Sequence, residues 1–183
     1  MGKKIAKAEA SEEEIERTLT KITEMVETME EIYFKNMNWL QEFDNKLYKK
    51  LKKVSDKVMK DKGKEKCAVE LNKTAALDII IKKDKTFIYN CEPFIYGDEK
   101  VREVKGNKKM SFIGTGLGTH ITSILREFKP KRVVINEENI QYFRCSLYVT
   151  DYETLSKISK IKFSINSKPK ILEASEVVRF DKY

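Results

Sequence analysis

The chain has one histidine, one tryptophan, three prolines and three cysteines in 183 residues. A single histidine excludes multi-histidine metal sites. The cysteines (Cys67, Cys91 and Cys145) are scattered, odd in number and lack the paired spacing of zinc or redox motifs. They read as reduced thiols, the state expected of a cytoplasmic protein. No apolar run approaches 18 residues, so none reads as a membrane span. The N-terminus lacks the apolar core of a secretory signal. Neither an internal repeat nor a low-complexity linker is present.

What is abundant is charge. Charged residues make up 36% of the chain and hydrophobic residues 40%, a globular composition with a heavily charged surface, and the formal net charge is +8. Much of the lysine lies in one run over residues 46–66, without interleaved aromatics. It reads mainly as solvated helix surface, so nucleic acid is not the expected partner. At this length one ordinary domain with an appendage can bury a core.

Three segments are expected: amphipathic helices over 1–63, a small β-meander over 64–105, and a Rossmann-like α/β unit over 106–183. After a basic tail (1–10), Ser11 with Glu14 three residues on reads as a capping box. Ile15, Leu19, Ile22, Val26, Met29 and Tyr33 then recur at steps of four and three, and the stripe continues through Met37, Leu40, Phe43, Leu47, Leu51, Val54 and Val58. This spacing predicts one amphipathic helix, or two broken within 36–45. The stripe either folds back on the domain or pairs with another helix; a homo-oligomer through these helices is one expectation. Trp39 and Phe34 lie off the stripe, which suggests more than a two-stranded seam.

Residues 67–72, 77–82 and 85–90 read as short strands, the last two joined by a tight hairpin at Asp84. Residues 94–105 read as a mixed connection. The most telling stretch follows: Met110-Ser-Phe-Ile-Gly-Thr-Gly-Leu-Gly-Thr-His120, an apolar helical run, then Lys131-Arg-Val-Val-Ile-Asn-Glu137. This is a strand, a glycine loop, a helix and a second strand ending in an acid, the opening of a Rossmann-like sheet. Helices over 139–149 and from Thr150 (as cap) through Ile158, a third strand over 161–165 and a strand over 177–180 complete the reading. The fold class is α/β, α+β over the whole chain.

Glycines let the backbone approach a ligand, and the helix N-terminus attracts anions. Gly114, Gly116, Gly118, Thr119, His120 and Glu137 are therefore the candidate cofactor-binding residues, with Glu137 placed where such folds hold ribose hydroxyls. The match is imperfect. The spacing is G-x-G-x-G rather than G-x-G-x-x-G, and Phe112 stands where S-adenosylmethionine-dependent methyltransferases usually carry an acid. The glycines serve equally well as a tight strand-to-helix turn. No nucleophile–base pair is evident, no catalytic residue is assigned and no cofactor is specified. His120, at a helix N-terminus, reads as a neutral packing or capping residue.

Phe112-Ile-Gly-Thr-Gly-Leu-Gly-Thr-His120, Val133-Val-Ile-Asn-Glu137 and Tyr142-Phe-Arg-Cys-Ser-Leu-Tyr-Val-Thr-Asp-Tyr152 resemble the motility accessory factor (Maf) family, flagellin glycosyltransferases of polarly flagellated bacteria. Phe34-Lys-Asn-Met-Asn-Trp-Leu40, Asp44-Asn-Lys-Leu-Tyr48 and Tyr89-Asn-Cys-Glu-Pro93 resemble that family's leading helix and small β-subdomain. The resemblance implies transfer of a nonulosonic acid (pseudaminic or legionaminic acid) from a CMP-activated donor to Ser or Thr of cytoplasmic flagellin. It also implies a longer chain whose transferase centre lies beyond this region, and so an N-terminal module for oligomerisation or acceptor docking, with flagellin and the rest of its own chain as partners. Two other readings stand beside it: a methyltransferase-like nucleotide-binding domain, and a helix-mediated assembly domain whose glycine loop is an empty turn.

Overall fold

The computed structural model describes residues 12–89 and 92–180, with backbone alone for Glu12, Glu14 and Ile15. The expected basic tail, the Ser11 cap and Cys91 lie outside the described residues.

Two helices open the chain, α1 (Glu12–Phe43) and α2 (Asn45–Lys60). The break falls at Asp44, whose carboxylate accepts from the Leu47 amide at 3.0 Å and caps α2. The predicted stripe is buried only in part: Tyr33, Met37 and Leu40 of α1 join Leu47 and Leu51 of α2 in the main core, whereas Leu19, Ile22 and Val26 stay exposed. Trp39, off the stripe, stacks on Phe43 and meets Phe163 edge-on, while Phe34 is solvent-exposed.

A three-stranded antiparallel sheet follows, β1 (Cys67–Leu71), β2 (Leu77–Ile81) and β3 (Thr86–Phe87), in the order β1-β2-β3. The β2–β3 turn is held by Asp84, which accepts from the Thr86 amide and hydroxyl. The third strand is shorter than expected.

The connection after it differs from the expectation. Pro93–Glu103 is a helix, α3, with Pro93 in its first turn and Glu92 accepting from the Phe94 amide at 3.3 Å. Its inward positions include Gly97 and Lys100, which hid the apolar period. Gly97 serves packing: a Cβ there would stand 3.1 Å from backbone atoms of Thr119, so glycine lets α3 lie close to the helix that Thr119 opens.

The second sheet contains β4 (Lys109–Ile113), β5 (Arg132–Glu137), β6 (Lys160–Ile165) and β7 (Glu176–Arg179), all parallel, in the order β6-β5-β4-β7. α4 (Thr119–Phe128) joins β4 to β5, and α5 (Ile140–Ser146) and α6 (Tyr152–Ile158) join β5 to β6. The near-continuous burial of β4 and β5 suits a parallel sheet covered on both faces. The chain steps outward from β4 to β6 and returns on the other side with β7, so the topological switch point lies between β4 and β7.

Thr150 does not cap α6 as expected. Its hydroxyl donates to the Leu117 carbonyl at 2.8 Å, and Asp151 is the cap, accepting from the Thr154 amide at 3.0 Å. Burial pushes the Asp151 carboxyl up, but hydrogen bonds from the Lys35 ammonium and from Thr154 outweigh it and hold the group below its ordinary value. A depressed folded-state pKa contributes stability at pH above the unfolded carboxylate value and loses it as pH falls through the folded one. Asp151→Asn, which keeps a capping oxygen, should therefore cost about 0.5–1 kcal/mol at neutral pH. In urea titrations at stepped pH, its difference from the wild type should shrink as pH falls below the ordinary carboxylate value.

The core has two clusters. The larger joins α1, α2 and the inner faces of the parallel sheet around Met110, Phe112, Ile135 and Phe143. The smaller joins Cys67, Ile79, Ile88 and Tyr89 of the meander region to Tyr96, Leu117 and Cys145, which seats the meander against the glycine loop. Within it the thiols of Cys67 and Cys145 lie 3.7 Å apart, both free and buried. No helix among the described residues is long and apolar enough to cross a membrane.

Candidate functional site at the glycine loop

The loop leaves β4 at Gly114 and enters α4 at Thr119. Gly114, Gly116 and Gly118 all adopt positive φ (85°, 47° and 81°), a conformation β-carbons disfavour. The turn is bound inward by its own amides. Gly114 donates to the Asn136 carbonyl (2.9 Å), Thr115 to the Glu137 carboxylate (2.9 Å), Leu117 to the Tyr89 hydroxyl (2.7 Å) and Gly118 to the Thr115 carbonyl (2.7 Å). A phosphate-cradling loop keeps such donors turned toward its anion. Here four are already engaged within the chain.

Glu137 stands at the end of β5, as expected, and its carboxylate also faces inward. One oxygen accepts from the Thr115 amide and hydroxyl, the other from the Asn139 amide at 2.9 Å, and the residue is 7% exposed. It ties the glycine loop to the start of α5. Neighbouring Asn136 does similar work: its amide donates to the Phe112 and Lys170 carbonyls while its oxygen accepts from the Lys170 amide.

Phe180, just past β7, crosses the switch point. A Cβ on Gly114 would come within 2.9 Å of the Phe180 Cβ, and one on Gly116 would meet both the Phe180 ring (2.9 Å) and the Tyr89 hydroxyl. The ring stacks on His120 (centroids 5.6 Å apart, planes at 24°) and contacts Tyr89 and Tyr96 at 5.0 and 5.4 Å. Gly118 is pressed against the Thr150 side chain. His120 is fully buried in this aromatic group, and the Thr119 hydroxyl donates to the Pro93 carbonyl at 2.7 Å, locking α4 to α3. The six candidate residues are thus gathered at one place, as the sequence placed them. Their polar contacts run largely to the protein itself. Burial and the contact with Tyr96 and Asp78 push the Tyr89 phenol well above its ordinary value, so Tyr89 remains a neutral hydrogen-bonding group at any ordinary pH.

Beside the loop lies an open cavity of about 370 Å³, floored by Ile88, Ile113 and Phe180 and walled by Gly114, Gly116, Glu138, Asn139 and Tyr142. Its size is within the range of small-molecule sites. Among the described residues no cluster of His, Cys, Asp or Glu could hold a metal ion.

The segment from residue 143 to residue 151 has its own architecture. Phe143 and Leu147 enter the main core, and Arg144 pairs with Glu65 at 2.6 Å, nearly out of solvent. The Ser146 hydroxyl donates to the Phe143 carbonyl and meets the Tyr152 hydroxyl at 3.0 Å. Every one of these contacts secures the fold. Glycine loop, acid-tipped strand and structural helix all fall within one segment that is similar to known proteins. Residues 103–172 match the family model of the glycosyltransferase Maf N-terminal domain. The fold agrees: the solved structure of the Maf glycosyltransferase from Magnetospirillum magneticum AMB-1 superposes with a TM-score of 0.59, over 75% of this chain, at 13% identity. This chain spans only 28% of that Maf protein's length. No curated protein matches. The loop, the strand and the helix described above all lie inside the segment that is similar to the Maf N-terminal domain.

Sequence reasoning missed three contributors to the site. Phe180 carried no signal beyond being an aromatic at a strand end, and Tyr89 was visible only as part of a meander strand. Asn36, in the middle of α1, was visible as a polar residue in a helix. Its amide donates to the Leu147 and Thr150 carbonyls, both at 2.8 Å, and its oxygen accepts from the Tyr152 amide.

Proposed function

We propose that this chain is the non-catalytic leading module of a flagellin glycosyltransferase, docking the acceptor while the transfer of a nonulosonic acid takes place elsewhere in a longer protein. The observation that carries this reading is the closed glycine loop. Four of its amides are engaged internally, its acid is spent on Thr115 and Asn139, and Phe180 packs directly against Gly114 and Gly116. The loop then acts as the joint that fixes α4, β5 and the meander, and the six candidate residues are structural. The flagellin acceptor and the cytoplasmic setting follow from the family resemblance.

Calorimetric titration of the chain with CMP, NAD and S-adenosylmethionine tests this. The expected result is no stoichiometric binding and no sugar transfer, together with capture of flagellin by the chain. Glu137→Gln should lower unfolding stability by about 2 kcal/mol, because an amide cannot accept at both of its ends. Transferase activity in the chain alone would overturn the proposal.

A second reading is favoured by one observation, the cavity beside Gly114 and Gly116. There Glu138, Asn139 and the Tyr142 ring could hold a nucleoside against Phe180, as in a methyltransferase-like domain. Saturable S-adenosylmethionine binding that is lost in Tyr142→Ala would replace the first reading with this one.

A further inference from the structure

The N-terminal half of α1 carries an apolar row that is left exposed among the described residues. Leu19, Ile22 and Val26 are 60%, 36% and 45% exposed, yet they continue the row that is buried further on at Tyr33, Met37 and Leu40. The Tyr33 and Ser55 hydroxyls meet at 2.7 Å, which fixes the level at which α1 and α2 run side by side. Counting outward from that pair, Lys60 at the end of α2 is level with Thr28. Residues 12–27 therefore extend past α2 as an arm roughly 24 Å long. A helix of this length is marginal in water without a packed face.

Charge is segregated along the same hairpin. Residues 12–31 carry eight glutamates against Arg17 and Lys21, whereas residues 46–66 carry ten lysines against Asp56, Asp61 and Glu65. The positions flanking the exposed row, Thr18, Thr23 and Met25, are uncharged, so a second helix can close on it.

We propose that the arm of a second copy of this chain covers this row, the two arms running antiparallel with Leu19 of each against Ile22 of the other. A parallel pair would set the first-turn glutamates of one arm directly against those of the other. The antiparallel pair instead brings the acidic first turns, with Glu13 and Glu16, up to the end of the other copy's α2, where Lys57 and Lys60 are exposed. The arrangement is isologous and closes as a dimer. It is continuous with the hairpin seam already formed inside each copy, and it is independent of whether the glycine loop binds a ligand or the chain docks an acceptor.

Sedimentation equilibrium of the 183-residue chain tests the proposal. The wild type is expected at twice 21.4 kDa. Ile22→Asp with Val26→Asp should weaken the dimer by at least about tenfold. The near-ultraviolet circular dichroism of the body should be unchanged, since both side chains are exposed in the single copy. Lys57→Glu with Lys60→Glu should weaken it too, and adding Glu13→Lys and Glu16→Lys should restore it. A wild type that stays monomeric at about 100 micromolar, where any seam worth about 6 kcal/mol is populated, overturns the proposal. A dimer indifferent to the aspartates overturns it as well, and one indifferent to the lysine reversals overturns the antiparallel register.

Discussion

Gly116→Val should destabilise the chain by about 2–6 kcal/mol, the sum of a strained φ and a forced overpacking. The residue sits at φ 47°, where a β-branched side chain is strained on its own. The larger cost comes from its surroundings. A β-carbon at this position runs into the Tyr89 hydroxyl and lies 2.9 Å from the Phe180 ring. Neither neighbour can retreat cheaply. Tyr89 is 1% exposed and accepts the Leu117 amide, so moving it orphans a buried donor. Phe180 is hemmed in by Tyr96 and His120. Against a total stability of about 5–15 kcal/mol for an ordinary domain, such a loss is a large fraction. Urea unfolding followed by tryptophan fluorescence measures it, since Trp39 is half-buried against the main core and meets Phe163 edge-on. A midpoint shift under about 0.5 kcal/mol, the range of a neutral surface change, would mean that the loop is not held as described.

Asn36→Leu should cost about 3–5 kcal/mol, although leucine suits a helix better than asparagine does. Asn36 is completely buried on the face of α1 that meets the chain between α5 and α6. Its amide and carbonyl together satisfy two carbonyls and one N–H that no helix or sheet serves. Leucine would leave the Leu147 carbonyl without this donor and the Thr150 carbonyl and Tyr152 N–H with only their 3.1 Å bond to each other, each lost bond costing about 1–3 kcal/mol before relaxation. Asn36→Asp discriminates between polarity and geometry. It keeps the acceptor for Tyr152 but turns a carboxylate oxygen toward two carbonyls, so it should be no better tolerated than leucine. Chemical denaturation of both variants, with far-ultraviolet circular dichroism as the probe, gives the answer. If Asn36→Asp is as stable as the wild type, the pairing is wrong.

Both expectations concern contacts that join distant parts of the chain, and those are where sequence reading stopped. The glycine loop, β4, α4 and β5 were legible because each has its own local pattern: an apolar run, positive-φ residues, a 3.6-residue period, and an apolar run ending in an acid. The meander was legible for the same reason, from turn chemistry and alternation, whereas a helix break within 36–45 was one of two open alternatives and the structure places it at Asp44. α3 was not, because Gly97 and Lys100 stand at inward positions and erase its period. The cap of α6 was misassigned by one residue: Thr150 and Asp151 are both good caps, and only the Leu117 carbonyl, 33 positions away, claims the threonine.

The sequence by itself determined the elements other than α3, their order, the Rossmann-like strand–loop–helix–strand unit and the family resemblance, because periodicity and glycine conformations are properties of short segments. The tertiary structure decided what the unit does with its glycines. Phe180 arrives from more than sixty residues downstream to fill the loop, and Glu137 turns inward because Thr115 and Asn139 come within reach only when the sheet has formed. It also decided that the apolar row of α1 is half spent and half free, since α2 is long enough to cover the row only as far as residue 28.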